Sequence, residues 1–326
     1  MTSINPHSDR SNKQAFDWQK AGLPYFSYGF YLRQRFGQRV QKVSIDAGFT
    51  CPNVDGTVAI GGCTFCDNRS FSPSRRIPRQ GVLDQIDEGI RRLKRRYTCD
   101  QFMAYFQPAT NTYAPVEKLR PLYEAALSHP KVVGMAIGTR PDCVPDDVLE
   151  LLEQVAGQTY LSVEYGLQTI HDRSLDWMNR GHHHQVTVDA IQRSQGRGFE
   201  ICAHVMLGLP GETHEDMMAT ADEVARLNFD SVKIHNLYAV KNTSLADQVT
   251  AGEVQLMGRD DYIRTVVDFL ERLPPSMIVE RISGDAPPDY FVSPSWCLDK
   301  SSVLLGLKNE LAVRGTHQGK SYASDR

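Results

Sequence analysis

Long apolar runs are missing from this chain. No hydrophobic segment approaches the roughly 20 residues that a membrane-spanning helix needs, so we expect no membrane partner. Residues 1–14 are polar and lack the apolar centre of a secretory signal peptide. These two absences predict a protein of the cytoplasm.

Cysteine is also scarce, and the charge is close to balanced. The 326 residues contain seven cysteines, an odd number with uneven spacing, which favours free thiols in a reducing compartment over a disulfide framework. The net charge is -3 and the pI is about 6.4. This composition argues against general polyanion binding. The basic residues between positions 91 and 96 are interpreted as a solvated outer face of a helix, with a contact to a tRNA backbone as the alternative.

Hydrophobic periodicity predicts six alternating strand–helix units. The predicted strands are residues 40–46, 101–107, 131–138, 160–166, 200–207 and 231–238. This alternation indicates a parallel sheet with helices outside it, either an open doubly wound sheet or a partial barrel. Both architectures place the active site at the carboxyl ends of the strands. Residues 274–326 are expected to add an extension, with a strand at 278–283 and a helix at 300–313.

The strongest signal for chemistry is a group of three cysteines directly after the first predicted strand, Cys51, Cys63 and Cys66. Cys63 and Cys66 have a Cys-x-x-Cys spacing typical of metal ligands. Three local thiolates would leave one position of a metal centre open, and open positions are typical of metals that do chemistry. The alternatives are a structural zinc site, with Cys99 or Cys143 as the fourth ligand, and a non-enzymatic iron–sulfur protein.

This layout resembles the radical S-adenosylmethionine (SAM) superfamily. In that family, three cysteines after the first strand hold one 4Fe–4S cluster, and SAM chelates the fourth iron. The resemblance implies that Cys51, Cys63 and Cys66 are the cluster ligands and that Phe65 lies beside the adenine of SAM. The family spacing is C-x3-C-x2-C, whereas this chain has C-x11-C-x2-C. We expect the wider gap to form an excursion over the cluster.

Three further segments resemble the radical SAM domain of the elongator catalytic subunit. They are residues 139–142 (TRPD), residues 164–168 (Glu-x-Gly-x-Gln) and residues 179–182 (NRGH). The resemblance covers roughly residues 40–285, and no acetyltransferase domain follows, as in the single-domain bacterial relatives of that subunit. It implies a partial (β/α)6 TIM-like barrel. We predict a flexible tail at residues 1–23, a radical SAM core at 24–285 and a helical extension at 286–326.

The resemblance also implies which residues contact SAM. We expect polar contacts from Gln107, Arg140, Glu164 and Gln168, and apolar contacts to the adenine from Val205 and Leu207, which precede the Gly-Leu-Pro-Gly-Glu segment at residues 208–212. Glu164 lies in an apolar strand, where an unpaired carboxylate is costly to bury. We therefore expect it to form an ion pair with Arg140. The run of three histidines at 182–184 is interpreted as solvated or capping residues.

The function implied by the resemblance is reductive cleavage of SAM to a 5′-deoxyadenosyl radical, with electrons from a cytosolic carrier such as flavodoxin or ferredoxin. Elongator-type relatives act on the wobble uridine of tRNA, so tRNA modification is the first hypothesis for the substrate. A radical SAM enzyme acting on a small metabolite is the alternative.

Overall fold

The computed structural model describes residues 16–72, 75, 79–285 and 287–323. Its strands are β1 (Val40–Ile45), β2 (Gln101–Phe106), β3 (Val132–Thr139), β4 (Tyr160–Gln168), β5 (Glu200–Leu207), β6 (Ser231–Asn236), β7 (Ala239–Val240), β8 (Ile278–Arg281) and β9 (Phe291–Ser293). Its helices are α1 (Tyr28–Phe36), α2 (Asn68–Phe71), α3 (Val82–Lys94), α4 (Val116–Leu127), α5 (Asp146–Ala156), α6 (Asp172–Trp177), α7 (His184–Ser194), α8 (His214–Arg226), α9 (Ser244–Thr250), α10 (Arg259–Arg272) and α11 (Lys300–Arg314).

The main sheet has seven strands in the order β1-β2-β3-β4-β5-β6-β8, and every neighbouring pair is parallel. Lys42 of β1 and Glu280 of β8 form an ion pair at 2.7 Å although their strands are the two edges of the sheet. The sheet is therefore curled into a partial barrel, as predicted. The segment after residue 274 contributes the seventh strand, and β7 and β9 form a separate antiparallel pair.

Helices cover the outer face of the barrel because the strands present apolar side chains on that side. The outward residues of β5, such as Ala203, pack in one large apolar core with α8 residues such as Met218 and Ala221. Strand β4 is buried along its whole length except for Gln168. Burial on both faces is expected for a parallel sheet of this kind.

Helix α1 and the segment before it close the amino-terminal end of the barrel. Phe26, Tyr31 and Leu32 are buried against the starts of several strands, including Val40 and Ile278. The aromatic segment of residues 25–36 therefore packs over one end of the core.

Part of the segment predicted as a flexible tail, residues 1–23, is packed against the barrel. Trp18 is buried, and its indole nitrogen donates to the carbonyl of Pro275 at 2.9 Å, so residues from 16 onward are packed against the barrel. Residues 1–15 lie outside the described residues. In the part of the chain that is described, no helix is both long enough and apolar enough to cross a membrane.

Candidate functional site

A cavity of about 360 Å³ lies at the carboxyl ends of the strands. Its lining includes most of the site residues predicted from the sequence: Cys51, Cys63, Phe65, Cys66, Gln107, Arg140, Glu164 and Gln168. These residues come from four different strand ends or loops, so the fold brings them together as the sequence predicts. A larger depression of about 690 Å³, beside Asp46, Arg79 and Lys118, contains none of the cysteines.

Val205 and Leu207 are not part of this cavity. Both are fully buried in the apolar core between the sheet and the outer helices. Side chains alternate between the two faces of a strand, and it is His204 and Met206 that line the cavity. The two residues of β5 predicted to contact the adenine therefore lie on the outer face of the strand, away from the cavity.

The cysteine loop folds back on itself between Cys51 and Cys63. The amide of Val54 donates to the carbonyl of Cys51 at 2.8 Å, and the amide of Gly62 donates to the carbonyl of Asn53 at 2.8 Å. The long gap between the first two cysteines is thus a closed excursion that returns Cys63 beside the start of the loop. Cys66 follows in a turn in which its amide donates to the carbonyl of Cys63 at 2.9 Å.

Residues 178–181, which follow α6, hold this loop from the opposite side. The Asn53 side chain donates to the carbonyl of Arg180 at 3.0 Å, and the Asn179 side chain donates to the carbonyl of Gly62 at 2.9 Å. The amide of Thr64 also donates to the carbonyl of Met178 at 3.1 Å. Asn53 and Asn179 are not among the predicted site residues, although Asn179 begins the NRGH segment. Their role is to position the cysteine loop.

Two buried arginines give the thiols a positive environment. Arg180 donates from Nη2 to the carbonyl of Gly166 at 2.7 Å and approaches the sulfur of Cys63 to 3.8 Å through Nη1. Arg140 binds Asp142 through two hydrogen bonds of 2.8 and 2.9 Å and donates to the carbonyl of Arg180 at 2.8 Å. Among the described residues, neither Nη1 of Arg140 nor Nε of Arg180 has a hydrogen-bond partner.

The ionisation of the thiols depends on what they bind. Burial raises the pKa of the Cys66 thiol, and the neighbouring thiols of Cys63 and Cys51 raise it further. Thiolates therefore need a compensating positive charge here, which Arg180 supplies in part.

Three free thiols around one cavity, with guanidinium groups behind them, fit an iron–sulfur cluster with three cysteine ligands. In the described part of the chain, no three His, Cys, Asp or Glu side chains are grouped as ligands of a single metal ion.

Glu164 is paired, but with other residues than expected. Its carboxylate contacts Lys42 at 2.7 Å, His204 at 2.9 Å and also Lys233. Burial works against the charged form of Glu164, but Lys233 and Lys42 outweigh it and hold the pKa of the carboxyl well below its usual value. The predicted ion pair with Arg140 is wrong, because Arg140 turns to Asp142.

The remaining predicted SAM contacts lie at irregular points of the backbone or in loops. Gln168 has a φ of 67°, in the left-handed region, and the pairing of β4 with β5 shifts register just before it. Few residues other than glycine adopt such a φ, and it is often found at functional sites. Gln107 donates to the hydroxyl of Ser44 at 2.8 Å. Phe65 packs against an apolar cluster that includes Leu175 and Met178.

The three histidines at 182–184 have separate surroundings. His182 is buried, which together with Arg180 lowers its pKa to about 4. His183 is exposed and contacts Asp176 at 2.9 Å, and His184 contacts Glu223 at 2.9 Å. The tract is therefore not a metal-binding group, although the burial of His182 was not expected.

Comparison with known proteins identifies the family. A model described as the radical SAM superfamily matches residues 60–224, and a model described as the radical SAM C-terminal domain matches residues 229–312. The chain belongs to the radical SAM superfamily and is an enzyme of that class. Cys63 and Cys66 lie inside the first match, whereas Cys51 precedes it. Family membership removes the support for a non-enzymatic metal-binding protein.

Relatives of similar length have names that give no activity. The chain is 40% identical over 307 residues to "Uncharacterized protein YtqA" of Bacillus subtilis, covering 94% of this chain and 95% of the relative. It is 36% identical to "Protein YhcC" of Escherichia coli, covering 90% of this chain and 96% of the relative.

Two more distant matches are a protein named tRNA uridine(34) acetyltransferase and a protein named Elp3. The chain is 28% identical over 167 residues to a tRNA uridine(34) acetyltransferase of Methanocaldococcus jannaschii, covering 50% of this chain and 30% of that protein. The solved structure of Methanocaldococcus infernus Elp3 matches with a TM-score of 0.66 at 19% identity, covering 86% of this chain and 64% of that one. At this identity the structural match shows the fold alone.

Proposed function

We propose that Cys51, Cys63 and Cys66 hold one 4Fe–4S cluster and that the enzyme cleaves SAM reductively. The observation that carries this proposal is the meeting of three free thiols at one cavity, with Arg180 directed at Cys63. When bound, the cluster would supply one electron to the sulfonium of SAM, which gives methionine and a 5′-deoxyadenosyl radical. The chain itself must orient SAM and keep water from the radical.

The cavity offers groups suited to each part of SAM. We propose that Phe65 contacts the adenine and that Gln107, Arg140, Glu164 and Gln168 supply polar contacts to the ribose and methionyl groups. On β5, Met206 replaces Val205 and Leu207 as the proposed apolar contact, because it faces the cavity. Glu164 can accept a further hydrogen bond only beside its present partners, Lys42, Lys233 and His204.

The electron source follows from the same chemistry. We propose a cytoplasmic enzyme reduced by a one-electron carrier such as flavodoxin or ferredoxin. The cysteines are all free, which agrees with a reducing compartment. The cysteine loop also exposes Val58 and Ile60, and exposed apolar residues next to a redox centre suit a transient carrier contact.

For the substrate, tRNA modification at the wobble uridine is our first proposal. Its support is the partial similarity to tRNA uridine(34) acetyltransferases. The second candidate is a small metabolite. It is favoured by the size of the cavity and by Arg281 in its wall, which forms no ion pair with any described residue.

The cofactor proposal is tested by anaerobic reconstitution with iron and sulfide, followed by dithionite and SAM. We expect about four irons per chain and the formation of 5′-deoxyadenosine. Alanine in place of Cys51, Cys63 or Cys66 should abolish this product, whereas Cys99→Ala, a buried thiol outside the cavity, should retain it. Product from any of the three variants would contradict the ligand assignment.

The tRNA proposal is tested by nucleoside mass spectrometry of tRNA from a deletion strain. Loss or accumulation of a wobble-uridine derivative, restored by wild type but not by Cys63→Ala, is the expected result. An unchanged set of modified nucleosides in the deletion strain would reject tRNA as the substrate and leave the small-metabolite candidate.

A further inference from the structure

The last strand of the sheet turns two successive side chains toward the barrel interior. The pairing of β6 with β8 runs from Val232 opposite Val279 to Lys233 opposite Arg281, so Glu280 is an extra residue in the ladder. Such a bulge redirects a side chain and is common next to active sites. As a result Glu280 contacts Lys42 and Ser231 inside the barrel, while Arg281 lines the cavity.

Three of the other interior cations, Lys42, Lys233 and Arg140, are balanced by carboxylates. Lys42 and Lys233 both contact Glu164 and Glu280, which makes a group of two cations and two anions. Arg140 is balanced by Asp142. Arg180 faces the carbonyl of Gly166 and the sulfur of Cys63.

Arg281 has no such neighbour. Among the described residues its guanidinium forms no ion pair, and its buried Nε has no hydrogen-bond partner. Asp285 lines the same cavity, but its carboxylate is three-quarters exposed and pairs with Lys300 at 2.8 Å. A partly buried cation without a partner is costly, so its counter-charge is expected from a ligand.

The surroundings of Arg281 complete a polar wall. His235 and Tyr238 line the cavity beside it. Burial lowers the pKa of His235, and the positive charge of Arg281 lowers it further, to well below its usual value. This imidazole is therefore neutral and can accept or donate one hydrogen bond. Tyr238 adds a hydroxyl that already donates to the carbonyl of Asp285 at 3.1 Å. The wall therefore offers one positive charge and neutral hydrogen-bonding groups.

We propose that Arg281, with His235 and Tyr238, binds a carboxylate group of the substrate. One unbalanced positive charge matches one negative charge, and the planar guanidinium fork suits a planar carboxylate. A phosphate monoester would bring about two negative charges, in excess of what this wall balances. That the carboxylate belongs to the substrate depends on the proposed radical SAM function; the anion site itself does not.

The position in the sheet separates this site from the proposed SAM contacts. Gln107, Arg140, Glu164 and Gln168 lie on or just after β2, β3 and β4, whereas Arg281 lies on β8 at the far edge of the sheet. Both groups line the same cavity. A carboxylate on Arg281 would therefore hold a substrate in the cavity where SAM is proposed to bind.

The test uses fluorine NMR of trifluoroacetate, a carboxylate with a single charge, with the reconstituted full-length protein. We expect saturable binding to wild type that is weakened about tenfold or more in Arg281→Gln and partly retained in Arg281→Lys, which keeps the charge and guards against a folding defect. Arg259→Gln, which removes an exposed arginine paired with Asp260, should bind like wild type.

Several outcomes would overturn the assignment. They are no saturable binding to wild type, equal binding to wild type and Arg281→Gln, tighter binding of dimethyl phosphate than of trifluoroacetate, and displacement of trifluoroacetate by SAM, which would make Arg281 part of the SAM site. Failure of the proposed function is measured separately, as absence of 5′-deoxyadenosine from wild type, and leaves the anion-binding result unaffected.

Discussion

At the scale of single residues, the cysteine loop is positioned by a close approach between Asn53 and Gly181. Gly181 has a φ of 74°, and a Cβ there would lie 2.8 Å from Oδ1 of Asn53 and 2.5 Å from a methyl of Val58. Glycine alone accepts this φ without strain and leaves room for the loop. The same Asn53 side chain donates to the carbonyls of residues 179 and 180, so the contact fixes the loop beside the arginines.

We predict that Gly181→Ala destabilises the protein more than Gly196→Ala does. Gly196 has a similar φ of 81°, but no atom lies within 4 Å of the added Cβ. Gly196→Ala therefore measures the free-energy cost of the backbone strain alone, about 1 kcal/mol. The clash at Gly181 should add about 1 kcal/mol or more. Urea unfolding of both variants measures the difference. Equal losses would mean that the loop moves away from Gly181 without cost.

At the scale of elements, the order of strands and helices could be predicted because each unit carries its own hydrophobic period. The inward face of β5 could not be predicted, because a strand buried on both sides has apolar residues on both faces and periodicity does not distinguish inside from outside. His204, a polar residue in that strand, was the available signal for the inner face. The seventh strand, predicted at residues 278–283 as part of an extension, lies beyond the regular alternation, so periodicity alone does not place it in the main sheet.

The carboxyl-terminal segment is tied to the barrel by one fully buried side chain. Gln318 accepts a hydrogen bond from the amide of Phe26 at 2.9 Å and donates to the carbonyls of Pro274 and Met277 at 2.7 and 2.8 Å. It thereby joins the chain after α11 to the segments that precede α1 and β8. This contact joins the helical extension to the barrel core.

We predict that Gln318→Ala lowers the free energy of unfolding by about 2 kcal/mol or more, because three buried backbone groups lose their partner. Gln158→Ala, at an exposed position, is the control and should change stability by less than about 0.5 kcal/mol. Urea unfolding followed by circular dichroism measures both. If the two variants unfold at the same urea concentration, water replaces the side chain and the terminal segment is not held by it.

At the scale of the whole molecule, the barrel interior is polar and charged where most cores are apolar. Glu164, Glu280, Lys42 and Lys233 come from four strands, and the sequence distances between partners reach 238 residues. Pairing at such a distance depends on how far the sheet curls, which no local pattern in the sequence encodes. For this reason the sequence indicated that Glu164 needs a partner but gave the wrong one.

This interior should make the stability of the protein depend on pH through His204. Burial lowers the pKa of His204 from 6.5 to about 4, although its hydrogen bond to Glu164 acts in the opposite direction. Between these pH values the unfolded chain binds a proton that the folded chain does not. Stability contributed by the neutral imidazole is therefore present above pH 6.5 and is lost as the pH falls toward 4.

We predict that His204→Gln, which can keep a hydrogen bond to Glu164, reduces this loss by up to about 1.4 kcal/mol per pH unit. The buried carboxyl of Glu164, whose pKa is held well below 4.5, adds its own loss only below pH 4.5, where the unfolded chain takes up the proton, so the slopes are compared between pH 6.5 and 4.5. His183→Gln is the control. His183 is exposed and Asp176 raises its pKa, so removing this imidazole should not reduce the loss of stability at low pH. Urea unfolding of the three proteins at several pH values gives the slopes. Parallel curves for wild type and His204→Gln would show that His204 is solvated enough to titrate normally in the folded barrel.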